Sequence, residues 1–346
     1  MSLSSILQRS SIKSIFRERI IRPPVYLSKT LLAPPLGRLP HRIGTAFDYA
    51  MRYGFMARGW GTMGQIVADN ALQAPTRGLL DKQTRKKVQN SLQEAKAVLS
   101  CMEPIVELSI ESARSCLELA DIDLIYRIGH VDDIGLGAQH DEIVDLQSLF
   151  RIIPWDKFRP TRRMFLNPSF GEGSHRVGGA DADVIIDHRV IDIKVIRDLK
   201  IRSEFINQVV GYALLANTFG IENDPPSTDC QEIVRVEIYL ARSAELIGFD
   251  LNAIAQPDHH SALLQSLLEP ARSSDMFQLM RPVMPSKATI SSKMEYQSAS
   301  AMVESATAKF QESLRSRVNL GEMSEDTLKQ AVERYRAAML AHHLSR

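Results

Sequence analysis

Long apolar runs are missing from this 346-residue chain. None approaches the roughly 20 residues that a membrane-spanning helix needs. Cysteine is scarce. Cys101, Cys116 and Cys230 are scattered and odd in number, which suits a reducing cytosol better than a disulfide framework. The expectation is a cytoplasmic protein with no membrane contact. An excess of one charge is missing too. The 42 Lys and Arg nearly balance the 41 Asp and Glu, for a net charge of +1, so any nucleic-acid contact needs a local basic patch. There is no Gly-x-Ser-x-Gly elbow, no zinc-type Cys/His spacing and no internal repeat. Gly171-x-Gly173 is not a phosphate loop, since no Gly-Lys-Ser/Thr follows and no helix is expected to open there. A content of 44% hydrophobic and 24% charged residues is that of a soluble globular protein. The length allows one large domain or two ordinary ones.

What the chain does have is the stretch from Gly178 to Val195. Two apolar runs rich in β-branched residues, Val184 to Ile186 and Val190 to Val195, flank Asp187-His188-Arg189. The pattern predicts a β-hairpin. The break lacks the Asn-Gly or Asp-Gly signal of a tight turn, which leaves the turn type open. Asp192 and Lys194 interrupt the second run and, being two apart, share one face of the strand. With His188-Arg189 as the turn, Asp183 would lie opposite Lys194 and diagonal to Asp192. Two carboxylates and an amine would then meet on one small area of sheet. Uncompensated buried charge is costly, so such a cluster calls for a cation and access to solvent. Hard oxygen ligands suit Mg2+ or Mn2+. Such an ion polarises a phosphoryl oxygen and lowers the pKa of bound water. The plainer reading is an edge hairpin carrying a surface salt bridge.

Asp183, an apolar hairpin and then Asp192-Ile193-Lys194 resemble the catalytic signature of the PD-(D/E)xK nuclease superfamily. Downstream, Gln208-Val209-Val210-Gly211-Tyr212 resembles the Gln-x-x-x-Tyr motif of its RecB-like branch. The first pattern alone is weakly specific, and the second on a helix makes the pair considerably more so. Gly44-Thr45-Ala46-Phe47-Asp48 is similar to the Gly-x-x-x-His segment that opens many such cores, with Asp48 where those carry His. Ser2-Leu3-Ser4-Ser5, Ala33-Pro34-Pro35 and Gly44 to Tyr49 resemble a bacterial set of these proteins. That likeness argues against a cleaved leader, although the first residues are Ser- and Arg-rich.

The resemblance covers about 160–245 well and 1–55 more loosely. It implies an α/β fold with a restriction-endonuclease-like α-β-β-β-α-β core and a mixed sheet. It implies that Asp183 and Asp192, helped by the backbone carbonyl of Ile193, bind Mg2+ or Mn2+. Lys194 would orient or help deprotonate the attacking water. Gln208 and Tyr212 would steady the site or touch the substrate backbone. The reaction would be phosphodiester hydrolysis in DNA, with RNA left open, in DNA repair or defence against foreign DNA. Asp192 replaces the commoner Glu. Asp181 is a reserve ligand. Asp48 is either an outer acid of the site or a residue that caps or pairs on a helix surface. The three cysteines cannot supply the four-cysteine iron–sulfur cluster of some relatives. A catalytically inactive nucleic-acid-binding module and a protein-interaction scaffold are the competing readings.

Other segments carry expectations of their own. Residues 1–43 are basic, with a helix from Ser4 to Arg19, and read either as an arm on a nucleic-acid backbone or as a cap on the core. Residues 44–59 form the first core helix, and 60–150 a largely helical insertion, with Pro104 ending or kinking a segment. Asp123 to Arg127 reads as a strand. His130-Val131-Asp132-Asp133 and His140-Asp141-Glu142 read as solvated turns rather than a metal site, and a helix starts at His140. Lys157, Arg159, Arg162 and Arg163, interleaved with Trp155, Phe158 and Phe165, would track a phosphate backbone, or else form a loop leading into a strand over Arg163 to Leu166. The catalytic core spans 151–250. It includes a helix over Arg202 to Phe219 that Gly220 caps, a strand over Val234 to Ala241, and Arg242 at the surface. Residues 251–346 form a C-terminal helical region with a Ser/Pro/Ala-rich linker near 282–301. Helices are expected over Ser305 to Arg317 and Ser324 to Leu344. A protein partner would dock on the helical regions.

Overall fold

The computed structural model describes residues 2–269, except 29, 37–38, 64–65, 73–81, 105, 129–136 and 223–231, together with isolated positions between 308 and 332. The linker and the two C-terminal helices expected from the sequence lie largely outside the described residues, as does the His130–Asp133 cluster. The chain divides into two compact units, Met1–Arg281 and Pro282–Arg346. The first holds every element below. Among the described residues no helix is long and apolar enough to cross a membrane.

The helices are α1 (Leu3–Ile6), α2 (Ser10–Arg19), α3 (Pro40–Ala57), α4 (Lys82–Ser100), α5 (Ile110–Ile128), α6 (His140–Arg151), α7 (Glu172–Arg176), α8 (Ser203–Phe219), α9 (Leu251–Ile254) and α10 (Pro257–Leu268). The strands are β1 (Thr62–Met63), β2 (Met164–Leu166), β3 (Val184–Ile186), β4 (Arg189–Lys194), β5 (Arg235–Leu240) and β6 (Glu245–Asp250). They form one mixed sheet in sequential order. Strands β2, β3 and β4 make an antiparallel meander, α8 crosses over, and β5 returns parallel to β4. A parallel return requires such a crossover, because no tight turn can reverse the chain twice. Strand β6 then pairs antiparallel with β5.

Helices cover both faces of the sheet, which explains why β3 reads as an uninterrupted Val-Ile-Ile run. Val184, Ile186 and Ile191 join the core built with α3 to α6. Ile185 and Val190 join the core built with α1, α2, α8 and α10. The alternation is the period of two expected of strands. Pro40 opens α3 at a position that needs no amide donor. Gly59 follows that helix with φ +68°, the left-handed conformation that ends helices at least cost.

Several expectations change. Asp123 to Arg127 is not a strand but the last turns of α5. Its buried Ala113, Cys116, Ala120 and Asp123 follow one another at helical spacing, and the short Ile/Leu run carries no period of its own. A short helix, α7, does open at Glu172, and strand β6 had not been foreseen. Leu3, Ile6, Ile12 and Phe16 are buried, so α1 and α2 pack on the core as a cap, in two pieces rather than one helix. Leu263 and Leu267 of α10 are buried in that same core, although the sequence assigned them to a C-terminal region. Glu142 lies not in a solvated turn but in a buried ion pair with Arg42, which also grips Asp121 through two 2.7 Å hydrogen bonds.

Arg242, expected at the surface, is 3% exposed. It forms a two-pronged pair with buried Asp145 at 2.8 and 3.1 Å and donates to the Ala33 carbonyl at 2.9 Å. Asp145 also accepts from the Leu36 amide. The pair thereby ties α6, the end of β5 and the extended segment after α2 together. Removing one partner would leave a buried charge uncompensated. Arg242→Met should therefore cost about 3–5 kcal/mol, read as a lower urea midpoint. Asp145→Asn should fall in the same range, and a loss below about 1 kcal/mol would refute the clamp.

Candidate active site

The hairpin turn is Asp187-His188, not His188-Arg189. Ile186 pairs with Arg189, Ile185 with Val190 and Val184 with Ile191. Extending that register sets Asp183 directly opposite Asp192, not opposite Lys194. Asp187 sits at φ +53° and accepts from the amides of Thr161, Arg162 and Arg163 and from the Thr161 hydroxyl, at 2.9–3.1 Å. Burial alone would raise the Asp187 carboxyl, but these donors together bring it down to about 2. An aspartate tolerates this conformation better than most residues, because its short side chain bonds nearby backbone.

At the other end of the hairpin the alternation breaks. Ala182 packs in the α8-side core and Val184 in the opposite one. Asp183, between them, turns its Oδ2 onto the Ile193 amide of β4, 2.6 Å away. Asp192 is 1% exposed. The Lys194 ammonium lies 2.7 Å from Asp192 Oδ2, yet off the hydrogen-bonding direction, so this buried oxygen has no aligned donor. Lys194 instead donates to Gln208 Oε1 at 3.0 Å and stands 5.1 Å from the Phe205 ring centre. Gln208 donates in turn to the Tyr212 hydroxyl at 2.8 Å and to Ser4 Oγ at 3.4 Å. Gln208 and Tyr212 are one helical turn apart on α8 and face the same way. The structure thus brings Asp183, Asp192, Ile193, Lys194, Gln208 and Tyr212 together.

Burial pushes the Asp192 carboxyl up to about 7. Lys194 pulls it down and Asp183 pushes it further up. For Lys194, burial alone would favour the neutral amine, but the carboxylates of Asp192 and Asp183 outweigh it and hold the ammonium above its ordinary range. Burial, and then the charges of Asp192, Asp183 and Asp181, raise the Tyr212 phenol.

The opposite helical layer adds a third acid. Asp48 on α3 pairs with Arg52 one turn on, which covers the pairing reading. Asp48 also lies within electrostatic reach of Asp183. Burial raises Asp48 to about 7 against the pull of Arg52, with Asp183 and Asp123 adding to the rise. The spacing of Asp48 and Arg52 was a readable signal for the pair. Asp123, Phe205 and Ser4 had none, since only the folded chain brings them here. Asp181 is exposed and bridges to Ser169.

The basic cluster lies elsewhere. Lys157 is in a 3-10 turn, and Arg159 and Arg162 are exposed. Arg163 stacks over Phe165. All four lead into β2 at the turn end of the hairpin, where Met164 pairs with Ile186. That is three residues, roughly 10 Å along a strand, from Asp183.

Among the described residues no group of three or more His, Cys, Asp or Glu side chains is placed to hold a metal ion. The donors present still suit one kind of ion. Mg2+ is commonly held by one or two carboxylates plus water and substrate phosphate, not by an all-protein cage. Asp183 and Asp192 are two such carboxylates, the second already paired with the Lys194 ammonium. Comparison with protein-family models, curated proteins and solved structures finds no match for the chain.

A pH dependence follows from Asp192. Folded, it keeps its proton up to about pH 7, whereas unfolded it keeps it only to about pH 4. Between those values the folded state binds more protons, so stability falls as pH rises. Asp192→Asn should flatten that fall by up to about 1.4 kcal/mol per pH unit, measured as urea midpoints across the window. Asp48 contributes with the same sign and leaves a residual slope. Identical slopes in both proteins would contradict the assignment.

Proposed function

We propose that the chain is a metal-dependent nuclease of PD-(D/E)xK type that hydrolyses phosphodiester bonds in DNA. The observation that carries this reading is the meeting of three groups at the end of the hairpin: Asp183, bonded to the Ile193 amide, Asp192, and Lys194, which pairs with Asp192 and donates to Gln208. The element order supports it. Helix α3, strands β2, β3 and β4, helix α8 and strand β5 follow the α-β-β-β-α-β sequence of a restriction-endonuclease-like core.

Asp183, Asp192 and the Ile193 carbonyl would hold Mg2+ or Mn2+. When bound, the ion supplies Lewis-acid polarisation of a phosphoryl oxygen and a more acidic water. The rest falls to the chain's own groups. Lys194, its pKa raised, is an ammonium at neutral pH. It therefore serves to orient water and offset charge at the phosphate rather than to accept a proton. Gln208 fixes the direction of that ammonium, and Tyr212 and Ser4 fix Gln208. Phe205 limits where the Lys194 stem can swing.

The test is cleavage of linear and circular DNA with Mn2+, with Mg2+ and with chelator. Lys194→Ala and Asp192→Asn should each lower a metal-dependent rate on the order of 100- to 1,000-fold, with melting curves showing both variants folded. Cleavage that neither substitution changes would count directly against this site. Binding of DNA without cleavage under any metal would favour the inactive-module reading.

A further inference from the structure

Beside the candidate site runs a groove of about 750 Å3. One wall is the extended segment after α2, including Arg22, Val25 and Leu27. The other is the loop leaving β4, with Arg197 and Lys200, and the first turns of α8 at Ser203 and Ile206. Arg22, Arg197 and Lys200 are exposed and make no ion pair among the described residues. The acid in the lining, Asp198, is already paired with Arg202 at 3.2 Å. The groove thus has three cations open to a ligand and an apolar floor of Val25, Leu27 and Ile206 between them. The opening turn of α8 adds backbone amides with no intrahelical acceptor, and Arg202 at its cap makes no side-chain cap hydrogen bond.

Position links the groove to the site. Arg197 follows Lys194 by three residues, a reach of roughly 10 Å. Ile206 lies two residues before Gln208 on the same helix. The volume is that of a pocket for a small ligand, enough for a nucleotide or two and far too small for a duplex. Tyr26, on the extended segment between two lining residues, is 94% exposed and presents a ring to anything leaving the groove. Cations along a track, an apolar floor and an exposed aromatic are what sequence-independent binding of a single strand uses.

We propose that this groove, and not the Lys157–Arg163 cluster, receives a single nucleic-acid strand, with backbone phosphates on Arg22, Arg197 and Lys200 and bases over the apolar floor. The proposal rests on the nuclease reading in taking nucleic acid as the ligand, and its test separates the two.

Binding of a fluorescent single-stranded oligonucleotide of about 12 nucleotides, and of the same sequence as a duplex, would be followed by anisotropy in chelator over a range of salt. The full chain should prefer the single strand. The slope of log affinity against log salt should fall by about 0.7 for each cation removed in Arg197→Gln and Lys200→Gln. Tyr26→Ala should weaken the single strand several-fold and leave the salt slope unchanged. Asp192→Asn, run alongside, should keep binding while losing metal-dependent cleavage. If it binds through the groove and no protein cleaves, the catalytic reading fails and the groove stands. Unchanged salt slopes in the Arg197 and Lys200 variants would overturn the groove. So would tighter binding of duplex than of single strand, equal competition by a poly-glutamate peptide, or no salt-sensitive binding at all.

Discussion

A two-residue turn governs the geometry of the hairpin. Asp187 occupies a left-handed backbone conformation, and its carboxylate collects three amides and a hydroxyl from Thr161 to Arg163. Those bonds pin the turn to the segment that feeds β2. Once the turn is Asp187-His188, the pairing is decided residue by residue, because sheet register advances without slack. Carried one step past Val184, the same register points Asp183 toward Asp192, and the Asp183 carboxylate bonds the next amide, that of Ile193. A turn one residue later would have moved the pairing by two positions and set Asp183 against Lys194. The carboxylates would then have been diagonal neighbours instead of an opposed pair. The charge cluster at one end of the hairpin is therefore set by a hydrogen-bonded acid at the other.

Both helical layers bear on that cluster. From the α8 side come Gln208, Tyr212 and Phe205, which leave Lys194 little freedom. From the α3 side comes Asp48, held by Arg52 and close enough to Asp183 to feel its charge. Burial raises two of the acids, Asp48 and Asp192, to about 7. One ammonium and one guanidinium offset three carboxylates only in part. The arrangement is stable with protons on some of the acids, and it would be stable without them if a cation took their place.

The hairpin, helix α8 and strand β5 were legible in the sequence because each is a local pattern with a clear period and a clear stop. Gln208 and Tyr212 were legible together for the same reason. The register was not, since Asp187-His188 has none of the glycine or asparagine that marks a tight turn. Strand β6 was hidden by Gly248, which faces Glu237 across the sheet where the Arg235 guanidinium crowds in. Asp123 to Arg127 misled because a short Ile/Leu run fits a strand or a buried helix equally well. The groove had no sequence signal, because its walls are about 170 residues apart in the chain.

A net charge of +1 looks like a poor omen for binding nucleic acid, but it averages over charges with very different duties. Arg42, Arg52 and Arg242 are buried against carboxylates, and Arg189 and Arg235 both neutralise Glu237 inside β5. These cations are each committed to a carboxylate of the same chain. Their acids, being equally committed, repel nothing either. What a polyanion meets is the remainder, and a field is set by where that remainder lies, not by the total. Arg22, Arg197 and Lys200 converge from two distant segments on the edge where β4 ends, with their one acidic neighbour already paired. A nearly neutral chain can therefore present a local positive track, and on the nuclease reading proposed above that track would lead a strand toward carboxylates whose charge a phosphate could approach only with a cation between them.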